Sequence, residues 1–455
     1  MNIPGVPESI KKPGFYFAIT SQRSGGLIAN AQKAVILAPK IAAGTGVAGN
    51  IYDAYDQADA AKYCGYGSVG HLLAKRALSV NRYMFLQLMI VADAGAAVAG
   101  TCHVVVTGTA TKAGVLSVNI GDQTVDVAFA TGDLHTAISA ALEDLISPGV
   151  GETILYPALP VTAVDTAGNV LLTSKNKGAY VNDIKVSATV TESAGITVVV
   201  NDGADPVTHL SGGATNPTLD GVGGPLEKLF NAGHTIIINP YNDEASIKDV
   251  DAHVKAVGGP LEKRWAKACF GYTDASGTSS AFTTLCGNVN SKETCGVYFP
   301  GIKTPSFELA AVHGALWAAK EDPALPIDGT TILALDIPAN PNDYLKGTVI
   351  ETILANGGCP YEVGPGNVAR VVRDIMTYVS NADGVADISP FDTTITDVGH
   401  YAGKYFLTVI SSKFSGTNKK FIRSRTPKAV KSVLLVAAKE METAEFIQDV
   451  DSSYK

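Results

Sequence analysis

From Ala34 onward the apolar positions alternate between short β-type runs and helix-type stripes. A strand is predicted at Ala34 to Ala38, then a glycine-rich loop, helices beginning near Asp56 and Ser68, and a strand at Arg82 to Val91. The same texture resumes after Thr208. Helix Pro225 to Asn231 is followed by strand Thr235 to Asn239, helix Asp243 to Val257, strands at Ala268 to Gly271 and Cys295 to Tyr298, and helix Pro305 to Lys320. Strands alternating with helices imply a mostly parallel sheet. Between the two stretches, residues 101 to 208 change period. Val- and Thr-rich runs at 102–107, 115–120, 123–129, 160–164, 169–174, 184–190 and 196–200 surround one helix, Leu134 to Ile146. Clustered strands inside a mixed pattern read as a separately folding β-rich domain set into a loop of its host.

The two ends differ from this core. Residues 1–30 carry Pro4, Pro7 and Pro13, an apolar run Phe15, Tyr16, Phe17, Ala18 and Ile19, and the polar stretch Ser21 to Gly26. Phe15 to Ile19 is too apolar to leave in water, so the reading is an arm whose strand joins a neighbour's sheet edge. After the proline-rich segments 322–326 and 338–341 a C-terminal domain is expected from 336. It would hold helix Asn342 to Ala355, strands near Tyr361 and at Ala369 to Val379, and two long helices opened by Ser389-Pro390 and Thr426-Pro427, each an N-cap residue followed by proline. The plan is therefore an arm (1–30), an α/β core (31–100 and 209–335), an inserted β-rich domain (101–208) and a C-terminal α+β domain (336–455). The echo of Gly223-Gly224-Pro225-Leu226-Glu227-Lys228 at 258–263 has no third copy, so it marks two similarly started helices rather than a repeat array.

Composition narrows the function. At 455 residues the chain is too long for one ordinary core; 46% is apolar and only 17% charged, which suits broad protein contacts. A net charge of −8 argues against a nucleic-acid binder. The six cysteines form no CxxC pair and no basic-then-apolar leader follows Met1, so reduced thiols and a chain made in the cytoplasm are expected. The longest apolar stretch, Tyr83 to Ala92, falls short of the roughly 20 residues that span a bilayer.

Candidate chemistry is sparse. Gly44-Thr45-Gly46-Val47-Ala48-Gly49 follows a strand and fits a dinucleotide fingerprint, but Asn50 to Tyr55 looks extended and no acid stands near Gly65 to hold a ribose. The eight histidines are scattered, no Cys/His group has zinc spacing, and no GxSxG elbow occurs, so neither a metal nor a catalytic residue nor a cofactor is expected. One charge feature stands out. From His400 to Lys439 there is no Asp or Glu, while Lys404, Lys413, Lys419, Lys420, Arg423, Arg425, Lys428, Lys431 and Lys439 accumulate. This basic stretch is a solvated edge, a surface for an acidic protein partner or a nucleic-acid contact, the last disfavoured by the few aromatic residues among the charges.

Five segments in collinear order resemble the tail sheath proteins of Mu-type contractile phages: Ile3 to Ile10, Tyr63 to Leu78, Lys177 to Ile184 in the inserted domain, Leu210 to Ala214 at its exit, and Ile410 to Phe414 near the C-terminus. The resemblance implies a subtilisin-like α/β core without a catalytic triad. It also implies self-assembly as stacked hexameric rings in a helical sheath around a tail tube, with baseplate and tail-terminator proteins at its ends. No nucleic acid or membrane insertion is involved, and contraction of the polymer would drive the tube through the host envelope. On that reading Lys413, Lys419, Lys420, Arg423 and Arg425 face the tube, and Phe15 to Ile19 link subunits. The family usually continues past the last helix into a further linking strand, which is expected to be lacking where this chain stops at Asp451 to Lys455. The alternatives are a nucleotide-dependent α/β enzyme and an adhesion protein that binds a ligand with its β insertion.

Overall fold

The computed structural model describes residues 28–149, 155–192, 194–201, 207–274, 279–387, 389, 391–414 and 426–453. Phe15 to Ile19 therefore lie outside the described residues, as do Lys419, Lys420, Arg423 and Arg425. Two units are distinguished, one from Ala31 to Tyr401 and one from Ala402 onward together with residues 28–30.

The larger unit opens with β1 (Lys33–Pro39), β2 (Ile51–Asp53), α1 (Gln57–Cys64), α2 (Val69–Val80) and β3 (Phe85–Val91). The inserted stretch follows as β4 (Ala99–Gly108), β5 (Gly114–Ile120), β6 (Gln123–Phe129), α3 (His135–Ile146), β7 (Val161–Thr166), β8 (Asn169–Lys177), β9 (Lys185–Val190), β10 (Ile196–Val200) and β11 (Val207–His209). The chain then returns through α4 (Pro225–Leu229), β12 (Ile236–Asn239), α5 (Glu244–Val257), β13 (Lys267–Tyr272), α6 (Ser280–Val289), β14 (Thr294–Tyr298) and α7 (Ser306–Ala318). It ends with β15 (Thr331–Ile332), α8 (Gly347–Ala355), β16 (Gly358–Gly364), β17 (Val368–Val371), α9 (Thr393–Phe414), α10 (Thr426–Thr443) and α11 (Val450–Ser453).

One nine-stranded sheet organises the larger unit in the order β15-β17-β16-β14-β13-β12-β1-β3-β2. Its six central strands are mutually parallel, and antiparallel β2, β17 and β15 close the edges. Parallel strands must be covered on both faces, so their sequences lose alternation and become continuously apolar. Ile236–Asn239 and Thr294–Tyr298 are buried at every position. α7 covers one face and is itself buried along almost its whole length. On the other face Ile247 of α5, Phe282 and Leu285 of α6 and Ile353 of α8 close around Phe270 and Tyr298. The helix starts follow side-chain capping: Asp56, Ser68 and Asp243 accept from the amides of Asp59, His71 and Ser246.

The inserted strands pair among themselves, as sheets β10-β4-β8-β7 and β11-β9-β5-β6, with α3 against them. Here burial alternates along most of β4 and β5, because each sheet has one inner face. The insertion is locked to its host at Arg76 of α2, which pairs at 2.5 Å with both Glu308 of α7 and Asp122 in the β5–β6 turn.

Several expectations need correction, among them the second helix start at 258–263, which instead forms turns after α5. A separate domain from 336 does not match the strand pairing, because β16 lies parallel beside β14 with Val297 opposite Cys359, so residues up to Val371 complete the core sheet. The helix expected to open at Ser389-Pro390 begins at Thr393, whose hydroxyl donates to Asp374 at 2.9 Å, and the one expected from Asn342 begins at Gly347.

His234 and His253 are buried, stacked at 5.4 Å between ring centroids, and share one Nε2···Nε2 hydrogen bond of 3.3 Å, which requires a neutral ring on at least one side. Burial, together with His253 and nearby Lys33 and Arg264, pulls the His234 ring down to about 3; burial likewise pulls His253 down to about 4. The unfolded chain takes up these protons near the ordinary 6.5 and the folded chain resists them, so stability is full above 6.5 and lost as pH falls towards 4. Urea unfolding should show a loss of up to about 1.4 kcal/mol per histidine for each pH unit below that value. The double variant His234→Gln/His253→Gln should have a visibly flatter acid limb; an unchanged slope contradicts this assignment.

Candidate functional site

A parallel sheet whose strand order reverses has a crevice at the carboxyl ends of its strands, where α/β enzymes hold ligands. Here the reversal falls at β1, which has β3 on one side and β12 on the other. The glycine-rich loop that follows β1 lies at this end of the sheet, but its amides are already used. Gly44 N–H donates to Ile41, Thr45 N–H to Lys62, Gly46 N–H to Tyr63 and Gly49 N–H to Ile90, all at 2.7–3.0 Å. The Lys40 ammonium turns inward to the carbonyls of Gly44 and Gly46, at 3.1 and 2.9 Å. A Cβ at Gly44 would come within 2.5 Å of the backbone of Tyr63 and Cys64, so glycine serves the close approach of this loop to the end of α1.

The N-terminus of α2, the natural place for a phosphate, is closed in the same way. Ser68 caps the His71 amide, and Asn176, a buried residue of the inserted β8, accepts from Val69 N–H at 2.8 Å while donating to the Lys40 carbonyl at 3.0 Å. Tyr180, also from the insertion, meets Tyr241 beyond β12 edge-on, and both rings are fully buried. The insertion thus fills the crevice with protein.

The other candidate surface is helical. The first turns of α9 belong to the larger unit and are anchored by Asp397, held between the buried ammonium groups of Lys267 (2.5 Å) and Lys320 (2.8 Å). In the smaller unit, α9 from Ala402 and α10 carry Phe406, Leu407, Ile410, Val430, Leu434 and Leu435, all only half-buried, and Val436 is 55% exposed. Tyr405, Ala437 and Met441 are the residues fully buried there. Tyr405 donates to the Glu440 carboxylate across an open groove of ≈ 360 Å³ that Val409 and Val433 also line. Lys413 is exposed in the last turn of α9, where a cation is favoured by the helix dipole. Lys439, at the end of the basic stretch, pairs with Asp451 of α11 at 2.7 Å, so one charge of that stretch is neutralised from outside it. Of the five lysines and arginines singled out from sequence, Lys413 is the one the structure describes. Among the described residues no helix is long and apolar enough to cross a membrane.

Comparison with known proteins adds a decisive likeness. The chain is 24% identical over 461 residues to the Mu-like prophage FluMu tail sheath protein of Haemophilus influenzae, spanning 98% of this chain and 90% of that one. The chain is homologous to a tail sheath protein. The homology includes the core, the insertion and the C-terminal helices together, rather than one shared module. No family model matches. Two solved sheath tail proteins are also similar: that of Desulfitobacterium hafniense, at 14% identity and a TM-score of 0.48 over 96% of this chain and 92% of that one, and that of Listeria innocua, at 13% and 0.48 over 94% and 88%.

A site already filled by its own polypeptide should not respond to ligand. Millimolar ATP or NAD should leave the thermal unfolding midpoint unchanged, whereas occupancy at a hundredfold excess over Kd would add about 2.7 kcal/mol. A clear upward shift contradicts the closed-crevice account.

Proposed function

We propose that this chain is the repeating subunit of a contractile tail sheath, a structural protein that polymerises around a tail tube and shortens to drive the tube through a host envelope for genome delivery. The observation that carries this is homology to a tail sheath protein along 98% of the chain. Two features of the molecule support it. The crevice that would serve an enzyme is filled, and a helical surface rich in half-buried aliphatic side chains is left for contacts with other chains. Partly exposed aliphatic side chains clustered on one helical pair suit association better than catalysis.

Several finer points belong to the same reading. Copies of the chain stack as hexameric rings, with baseplate and tail-terminator proteins at the two ends. The sheath is assembled in the host cytoplasm and resides in the virion tail. The core is the subtilisin-like element of the family, serving as a rigid block without catalysis. Residues Phe15 to Ile19 complete a neighbour's sheet edge, and Lys413, Lys419, Lys420, Arg423 and Arg425 face the tube. A tube-facing surface must grip before firing and release afterwards. Screened ion pairs, each worth about 0.2–1 kcal/mol, meet that need better than an apolar seal. Contraction would then be a switch between two discrete packings of the same rigid blocks.

Electron microscopy of the chain mixed with tube protein tests the reading: rods or stacked rings are expected. The triple variant Lys413→Glu/Lys419→Glu/Lys420→Glu should co-assemble with tube less well and lose that association at lower salt, with the unfolding temperature of the isolated subunit unchanged. Absence of any polymer contradicts the sheath reading; a charge-reversed variant that assembles with unchanged salt dependence contradicts only the tube contact.

A further inference from the structure

Three adjacent parallel strands bring cysteines to one face of the core sheet. Cys269 of β13 stands opposite Cys295 of β14, and Cys359 of β16 stands opposite Val297, two residues along from Cys295 and therefore on the same side of the pleat. α7 lies over this face and lowers His313 between the strands, while the segment after β17 contributes Asp374. Cys295, His313 and Cys359 are 0% exposed and Asp374 is 4% exposed.

The donor atoms converge. Cys295 Sγ lies 3.5 Å from His313 Nε2 and 4.0 Å from Asp374 Oδ1, the same Nε2 lies 3.2 Å from that Oδ1, and all four donor atoms, Cys359 Sγ included, are within 4.8 Å of one another. A tetrahedral ion with metal–sulfur bonds of about 2.3 Å and metal–nitrogen or –oxygen bonds of about 2.0–2.2 Å separates its ligands by roughly 3.3–3.8 Å. We propose that Cys295, His313, Cys359 and Asp374 hold one structural zinc ion.

The surroundings fit a metal better than a catalytic or purely ion-paired cluster. In a nucleophile–histidine–acid triad the ring presents one nitrogen to the nucleophile and the other to the acid. Here a single nitrogen faces both sulfur and carboxylate, and the other, Nδ1, is 2.9 Å from the Tyr361 hydroxyl. That arrangement is how a metal-bound imidazole is oriented by an outer partner. Asp374 is oriented as firmly: Trp317 Nε1–H donates to Oδ2 at 2.8 Å and the Thr393 hydroxyl to Oδ1 at 2.9 Å. Burial pushes both thiols up, so they are poor anions by themselves; a divalent ion would displace one proton from each thiol and take both as thiolates. Two thiolates, one imidazole and one carboxylate form a closed four-ligand set of the type that selects zinc and leaves no position for substrate. Cys269 is the internal contrast: it occupies the same face, but its thiol is 3.4 Å from the Ala310 carbonyl, to which it donates. The ion would tie β14, β16 and α7 to the segment leading into α9. Zinc-motif spacing could not reveal it, because the ligands come from four separate elements.

The full-length chain is unfolded, refolded with excess zinc, desalted and assayed for metal. About one zinc per chain is expected. The double variant Cys295→Ser/Cys359→Ser should fall to background, with Cys269→Ala and Cys286→Ala unaffected. Cobalt in place of zinc should give the intense absorption of a tetrahedral thiolate site in the wild-type chain and not in the double variant. Because the serine variant could fail to fold, the wild-type chain is also refolded with a strong chelator, which should lower its unfolding temperature. Background zinc in the refolded wild-type chain, equal zinc in the double variant, or the same unfolding temperature with no cobalt absorption would overturn the proposal.

Discussion

The structure depends on one constraint: a sheet with six parallel central strands offers no face to water and must be covered on both sides. α7 covers one face, and α5, α6 and α8 the other. The insertion completes the closure. Asn176 and Tyr180 reach the reversal of strand order, and Asp122 reaches Arg76, whose guanidinium also compensates the buried carboxylate of Glu308. Burial holds the Glu308 carboxyl up at about 7 even beside Arg76, so removing Arg76 would leave it protonated at neutral pH and would break the link to Asp122. A fold closed in this way has protein side chains where an α/β enzyme would hold a ligand.

On the proposed reading, function lies in what the closed core leaves uncovered. α9 starts inside the larger unit, where Asp397 and Thr393 anchor it, and runs on into a helical pair whose aliphatic side chains are half in water. The contrast with α7, buried from Ser306 to Ala315, is one of role: α7 is interior structure, whereas α9 and α10 are surface available for contact. The sheath reading, founded on homology, gives this surface a use.

Much of the architecture could be read from sequence because local and tertiary signals agree. Asp56, Ser68 and Asp243 are caps in sequence and in structure, and the period change after residue 100 coincides with a change from parallel to antiparallel pairing. Where the signals disagree, tertiary context wins. α6 has no usable start signal: its cap residue Ser279 sits at φ 57° and makes no capping bond. β16 is expected as a strand near Tyr361, but its parallel pairing with β14, which makes it part of the core sheet rather than of a separate C-terminal domain, has no local signature. The glycine-rich loop matches a fingerprint by spacing, and only the hydrogen bonds show its amides to be consumed. Cys295, His313, Cys359 and Asp374 meet through strand register and helix placement, neither of which has a local sequence signature.

The central claim is that the sheet core is a preformed, closed block and that association uses the C-terminal helices. Amide hydrogen exchange compared between the free chain and its polymer tests this most directly. The account predicts that β1, β12, β13 and β14 exchange slowly and equally in both states, and that α9 beyond Ala402 and α10 gain protection on assembly. Protection gained in the core strands, with none in α9 and α10, would contradict it.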